Sequence, residues 1–329
     1  MYVLGDSLVD VGNNNYLRLS LDKADFSHNG VDFPTGPTGR FCNGKNTADF
    51  IAEKLGLPSP PAYFSLSNRD INTTILTGVS FASGGAGILN GTYSTFRQAI
   101  SLSKQVDYYT AVYETLVQEL GFDTTQKHLS KSLFVIVIGS NDLKRYFSDS
   151  EISKSITPQD YVNSMVSAIN DIFKQLYGLG ARKFILAGVP VVGCTPKLRI
   201  QNETLTCHEE LNFWVTKYND GLKSVLQKFK FEFNDTSYSY FDTYSALNDF
   251  IQNPNTYGFI EVQSACCGLG KLRAAVPCLP ISEYCSNRND YLFWDLYHPT
   301  EKTASMFIDM FYNASQYVTP INISQLVSL

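Results

Sequence analysis

The sequence lacks any apolar run long enough to cross a bilayer. Runs such as Leu133–Ile138 and Phe184–Leu186 fall far short of the roughly 20 residues a membrane helix needs, so the chain reads as soluble. Basic residues are few: 26 Lys+Arg against 31 Asp+Glu give a net charge of −5. No basic run interleaves with aromatics, which excludes nucleic acid as an expected partner. Cys-x-x-Cys is missing, and adjacent cysteines cannot easily both ligate one tetrahedral ion, so no metal is expected. Gly85-Ala-Gly87-Ile-Leu-Asn90 lacks the third Gly of a dinucleotide fingerprint, and no cofactor is expected. There is no internal repeat, low-complexity stretch or linker, so residues 1–329 read as a single domain. No signal peptide precedes the first strand, which begins at residue 2. Met1 therefore reads as an internal residue or an artificial start, with any targeting segment already removed.

What is present argues for secretion. Seven cysteines occur, and disulfides account for their spacing better than a metal does. Cys194 and Cys207 are expected to pair, closing a loop of polar residues. Cys266, Cys267, Cys278 and Cys285 are expected to pair among themselves, with the partners of Cys266 and Cys267 left open. Cys42 is then left over as a free thiol. Asn-x-Ser/Thr sequons stand at Asn72, Asn90, Asn202, Asn234, Asn313 and Asn322, which fits an N-glycosylated, extracellular monomer.

Hydrophobic content is 44%, enough for a large core. Five short apolar runs read as strands: 2–5, 78–82, 133–138, 183–188 and 237–241. They do not alternate apolar with polar, which predicts burial on both faces of a parallel sheet. Helical patterns lie between them over 46–55, 96–120, 158–179, 207–229 and 300–317. Thr157-Pro158 supplies a cap and a first helical residue. Strand–helix alternation predicts a three-layer α/β/α sandwich around a parallel sheet. Such sheets bind ligands at the C-terminal ends of their strands. Those ends carry Asp6-Ser7, then Ser83-Gly-Gly-Ala-Gly87, then Gly139-Ser-Asn141-Asp142, then Gly188. A last loop carries Asp295 and His298.

A serine hydroxyl is inert at neutral pH unless a positioned base removes its proton. The chain has four histidines. His28 and His128 fall in polar segments read as loops, and His208 follows Cys207 at a helix start. Only His298 has a carboxylate three residues away. Asp295-x-x-His298 lets the carboxylate hold one ring nitrogen while the other faces Ser7. Ser7 N–H, the Gly85 backbone and the Asn141 amide are the expected donors to an oxyanion. Each motif alone has a plainer reading: a turn, a surface pair, a flexible loop or a helix N-cap. Their convergence at one sheet edge favours a site. The residues around Ser7 are not Gly-x-Ser-x-Gly, so the nucleophile elbow of the α/β-hydrolases is absent.

With those residues in hand, the chain resembles the plant GDSL esterase/lipases of the SGNH hydrolase superfamily. The resemblance runs nearly end to end. It is carried by Gly5-Asp-Ser-Leu-Val-Asp-Val-Gly-Asn-Asn-Asn15, Asp32-Phe-Pro-Thr-Gly-Pro-Thr-Gly-Arg-Phe-Cys-Asn-Gly44 and Gly78-Val-Ser-Phe-Ala-Ser-Gly-Gly-Ala-Gly87. Ile138-Gly-Ser-Asn-Asp142, Gly193-Cys-Thr-Pro196, Cys266-Cys-Gly268 and Asp295-Leu-Tyr-His-Pro-Thr300 extend it. The resemblance implies Ser7 as nucleophile, His298 as base, Asp295 as its orienter, and Gly85 and Asn141 as oxyanion donors. It also implies a five-stranded parallel sheet, a shallow loop-built site and a secreted location in the apoplast or cell wall. Ser80 stands where the family usually has Asn, and is expected to weaken a supporting hydrogen bond. Cys42 stands where the family usually has Ser.

The reading is a secreted serine esterase or lipase acting on carboxylic esters through an acyl-enzyme. Its partner is a small-molecule or lipid ester. The family's substrates range from lipid and cutin-type esters to acetylated sugars and phenolic esters. The alternative with the same triad is an acyltransferase that passes the acyl group to an alcohol. A non-catalytic binding glycoprotein is the rival from another class. The aromatics of 26–33, 93–96 and 146–147 are candidates to line the site.

Overall fold

The computed structural model describes residues 1–67, 71–91 and 98–329. Its frame is a sheet with the spatial order β1 (Tyr2–Gly5), β2 (Leu133–Val137), β3 (Lys183–Ala187), β4 (Ser237–Phe241) and β5 (Val318–Pro320). The first four run parallel, so that Gly5, Val137, Ala187 and Phe241 stand side by side. β5 is antiparallel to β4, so the fifth strand differs from the parallel one expected. Residues 78–82 do lie along β1: Val3 N donates to Val79 O and Phe81 N to Val3 O. Their contact is only a bridge at Ser80. On its outer side Ser80 N donates to Pro61 O, and a proline has no N–H to continue a ladder.

The strands bury both faces, as their unbroken apolar composition predicts. Tyr2, Leu4, Phe134, Ile136, Phe184 and Leu186 enter one core. Val3, Val135, Val137, Ile185 and Phe241 enter the other. Alternate residues thus point to opposite layers. The helices that matter for the site are α1 (Thr47–Lys54), α2 (Leu102–Leu120), α3 (Ser140–Ser148), α4 (Pro158–Gly178), α5 (Glu209–Glu232), α6 (Thr243–Gln252) and α7 (Glu301–Asn313). Helices α2, α4 and α5 cover the first core, and α1, α6 and α7 the second.

Local sequence explains several helix starts. Thr157 Oγ1 accepts from Asp160 N at the head of α4, with Pro158 in the first helical position. Asn46 and Asp49 form a reciprocal capping box on α1. The expected start of α2 at Phe96 lies outside the described residues. Phe122–Lys131, which holds His128, is a helix rather than a loop. It and α3 are short and rich in polar residues, so no long apolar run marks them.

A buried ion pair fastens α1 to the segment before it. Arg40 donates from Nε and a terminal nitrogen to the two Asp49 carboxylate oxygens, at 2.6 and 2.7 Å. Both side chains are nearly inaccessible. Arg40→Met would leave that carboxylate buried without its partner. Unfolding free energy in urea should drop by about 3–5 kcal/mol; a loss below about 1 kcal/mol would mean the pair is effectively solvated.

Candidate active site

The chain leaves β1 under tight constraint. Gly5 has φ 155°, and a Cβ there would meet Val137 O at 2.3 Å and Val9 Cγ2 at 2.7 Å. The side chain of Gln105 on α2 holds this residue from both sides, accepting from Gly5 N and donating to Gly5 O, each at 2.8 Å. Ser7 follows, its Oγ 2.7 Å from His298 Nε2. His298 Nδ1 stands 2.8 Å from both carboxylate oxygens of Asp295. Asp295 Oδ1 also accepts from Tyr297 N and His298 N at 2.9 Å, so the carboxylate closes its own turn. Burial raises the Asp295 pKa, but the His298 charge and these hydrogen bonds outweigh it and hold the carboxyl below the usual range. The three expected residues thus come together across 291 positions of sequence.

The loop carrying Asp295 stands on a stapled platform. Disulfides Cys266–Cys285 and Cys267–Cys278 join adjacent positions to different partners. Cys266 N donates to Phe293 O and Cys267 N to Trp294 O, directly before Asp295. Trp294 is fully buried and donates from Nε1 to Asn29 Oδ1. Cys194–Cys207 forms as expected. Cys42 is free and buried, and burial pushes its thiol far above the reactive range. The other histidines serve elsewhere. His28 bonds Ser282 O, His128 Nε2 lies 3.5 Å from Tyr2 Oη, and His208 caps α5 by accepting from Leu211 N.

Gly85 lies on a loop and Asn141 in the first turn of α3, beside the same strand ends. Gly85 takes a left-handed φ of 85°. Asn141 Nδ2 donates to Ala86 O at 3.0 Å. Among the described residues neither Ser7 N–H nor Gly85 N–H donates to a protein acceptor. The loop around Gly85 is zipped to the segment after Ser7. Asp10 accepts from Gly12 N, Asn13 N and Gly84 N, each at 2.8 Å. Asn13 Nδ2 donates to Ser80 O and Ala82 O, and Asn14 Nδ2 to Gly84 O. From the other side, Asp142 accepts from Ile88 N and Leu89 N. Ser80 holds its place through its backbone, and its buried hydroxyl has no partner among the described residues.

Residues that the sequence did not single out complete the site. The Phe41 ring packs against His298 with centroids 5.1 Å apart, and Lys144 Nζ lies 4.0 Å from the Tyr297 ring. Gln105 is a polar residue on the buried face of an amphipathic helix, which is a usable signal. Asp10, Asn13 and Asn14 sat within the quoted first block without an assigned role.

Beside Ser7 opens a small cavity of about 70 Å³. Ser7, Asn141 and His298 line it, and its inner side is closed by core residues such as Val135, Ile185 and Phe311, each at most 2% exposed. None of the described aromatics of 26–33 or 146–147 lines it, and those of 93–96 lie outside the described residues. Tyr146 packs on Tyr161 instead. The aromatics that do line the cavity include Phe241, Phe307 and Phe311.

The profile of the GDSL-like Lipase/Acylhydrolase family matches residues 1–311. The chain belongs to this family. GDSL esterase/lipase At5g55050 of Arabidopsis thaliana is 49% identical across 100% of this chain and 89% of its own length. GDSL esterase/lipase At1g29660 from the same plant is 39% identical over 100% and 91%. GDSL esterase/lipase At5g37690, also from that plant, is 37% identical over 95% and 88%. As a GDSL esterase/lipase the protein is a carboxylic ester hydrolase.

The Asp of the GDSL block has its own physics. Burial pushes the Asp6 carboxyl up to about 6, against the Leu8 amide and the charges of Lys144 and His298, which pull it down. Its folded value then exceeds the unfolded value of about 3.9. The stability it contributes is complete below about pH 4 and is lost as pH rises through about 6. Asp6→Asn keeps an acceptor for Leu8 N. It should flatten the decline in unfolding free energy between about pH 4 and 6, read by urea denaturation at stepped pH. An unchanged slope would mean Asp6 ionises normally.

Proposed function

We propose that this GDSL enzyme is a secreted serine esterase working through an acyl-enzyme on Ser7. The observation that carries this is the Ser7–His298–Asp295 chain, with contacts of 2.7 and 2.8 Å. His298 Nε2 takes the Ser7 proton as Oγ attacks the ester carbonyl. It then returns that proton to the leaving alcohol. In the second half, water gives its proton to His298 and attacks the acyl carbonyl; His298 passes that proton to Ser7 Oγ as the acyl–oxygen bond breaks and the carboxylic acid leaves. Asp295 holds the ring with Nδ1 towards it and stabilises the imidazolium. Ser7 N–H, Gly85 N–H and the Asn141 amide receive the charge that develops on the carbonyl oxygen.

Three disulfides support an oxidising compartment, and Asn90, Asn234 and Asn313 offer exposed sequons. A single domain over 1–329 is supported by two cores that share one sheet.

Labelling by an organophosphonate tests the nucleophile. Ser7→Ala should abolish it, and a mutant that labels like wild type would sink the assignment. Asn141→Ala should lower kcat by about 100- to 1000-fold. Asp295→Asn should lower it by about 10⁴-fold. Both are read with an activated aryl ester, and a loss below tenfold in either would remove that residue from its role.

A further inference from the structure

We propose that Lys144 is a specificity-determining residue of this esterase, and that it selects esters carrying a carboxylate near the scissile bond. This rests on the reading of Ser7 as nucleophile. Helix α3 brings Asn141 and, three residues on, Lys144 to the wall of the cavity. Residues three apart on a helix are neighbours on one face, with Cβ atoms about 5–6 Å apart. The amide that would meet the carbonyl oxygen and a fixed positive charge thus stand side by side. Lys144 Nζ is 4.0 Å from the centre of the Tyr297 ring, in the turn between Asp295 and His298. Ring and ammonium attract each other, which keeps the end of a long side chain at the catalytic turn. Its charge reaches the centre of the site. At the Asp6 carboxyl, one residue before Ser7, it acts more strongly than the charge of His298.

The charges around the cavity differ in access. Among the described lining residues Lys144 is the one lysine or arginine, and Asp6 the one acid. Asp6 is 1% exposed and accepts from Leu8 N, so an incoming ester does not reach it. Lys144 is only partly buried. An ester entering the cavity therefore meets positive charge, on a chain whose net charge is −5. Partial burial strengthens that encounter, because water and salt screen it less. A lysine ammonium is a compact charge with three donors on a flexible stem, which suits one anionic group better than an array of hydroxyls. Since Lys144 is one helical turn from Asn141, the carboxylate it meets lies within a few bonds of the ester carbonyl, on the acyl or the alcohol half.

Two matched pairs of esters test this. Mono-p-nitrophenyl adipate against p-nitrophenyl hexanoate puts the charge on the acyl half. p-Acetoxyphenylacetate against p-tolyl acetate puts it on the alcohol half. In at least one pair the wild-type enzyme should have the higher kcat/KM for the anionic ester, and that pair identifies the half. Lys144→Met should lower the anionic-to-neutral ratio there by about tenfold or more. Lys144→Glu should lower it further, and Lys144→Arg should keep most of it. Raising NaCl from about 0.05 to about 0.5 M should shrink the wild-type ratio, a measurement that needs no variant to fold. A ratio unmoved by Lys144→Met and Lys144→Glu, or by salt, would leave Lys144 a packing partner of Tyr297 and overturn the proposal alone. So would a wild-type preference for the neutral ester in both pairs. Failure to cleave any ester, with no phosphonate labelling of Ser7, would overturn the nucleophile reading and this one with it.

Discussion

The whole site depends on how closely the backbone can pass β2 as it leaves β1. At Gly5 no side chain fits between the strand end and the Val137 carbonyl. That close passage lets Asp6 N donate to Val137 O, which starts the turn carrying Ser7. The neighbouring strand end is then the natural place for a second loop, and Gly139 to Asn141 occupy it. Parallel register does the rest, since it brings the C-terminal ends of β1 to β4 to the same edge. A one-residue change in register would turn every side chain to the other face. Both cores would then be lost along with the site.

Buried acids in this protein serve the backbone more than the chemistry. Asp6, Asp10 and Asp142 are all fully or almost fully buried, and each accepts from main-chain amides. Burial pushes Asp10 up to about 6, partly offset by its amide donors. Such groups turn flexible glycine-rich segments into fixed ones, because an amide bound to a buried acceptor cannot swing to water without stranding it. Gly84 to Leu89 are held in this way from two sides. Pre-organisation of that kind is what an oxyanion site requires, as its donors must not reorganise during the reaction.

Much of this was legible in the residues, and the reason is local. Ser7, Asn141 and Gly85 each follow an apolar run closely, and Asp295 and His298 lie one turn apart. Short-range pattern is enough to place all five at a strand edge. The pairing of Cys266 and Cys267 was not legible, because adjacent positions leave each partner equally close in sequence. β5 escaped notice since Val-Thr-Pro is only three residues long, half-exposed and edge-bound.

The order of the chain has its own consequence. Ser7 follows the first strand of the sheet, and His298 comes 291 positions later. Between them in sequence lie β2 to β4, α1 to α6 and the platform beneath Trp294. An incomplete chain therefore carries a hydroxyl with no partner to activate it. The Ser7–His298 contact forms only when the sheet and the stapled platform are both in place, so that one contact reports on the folding of two distant parts.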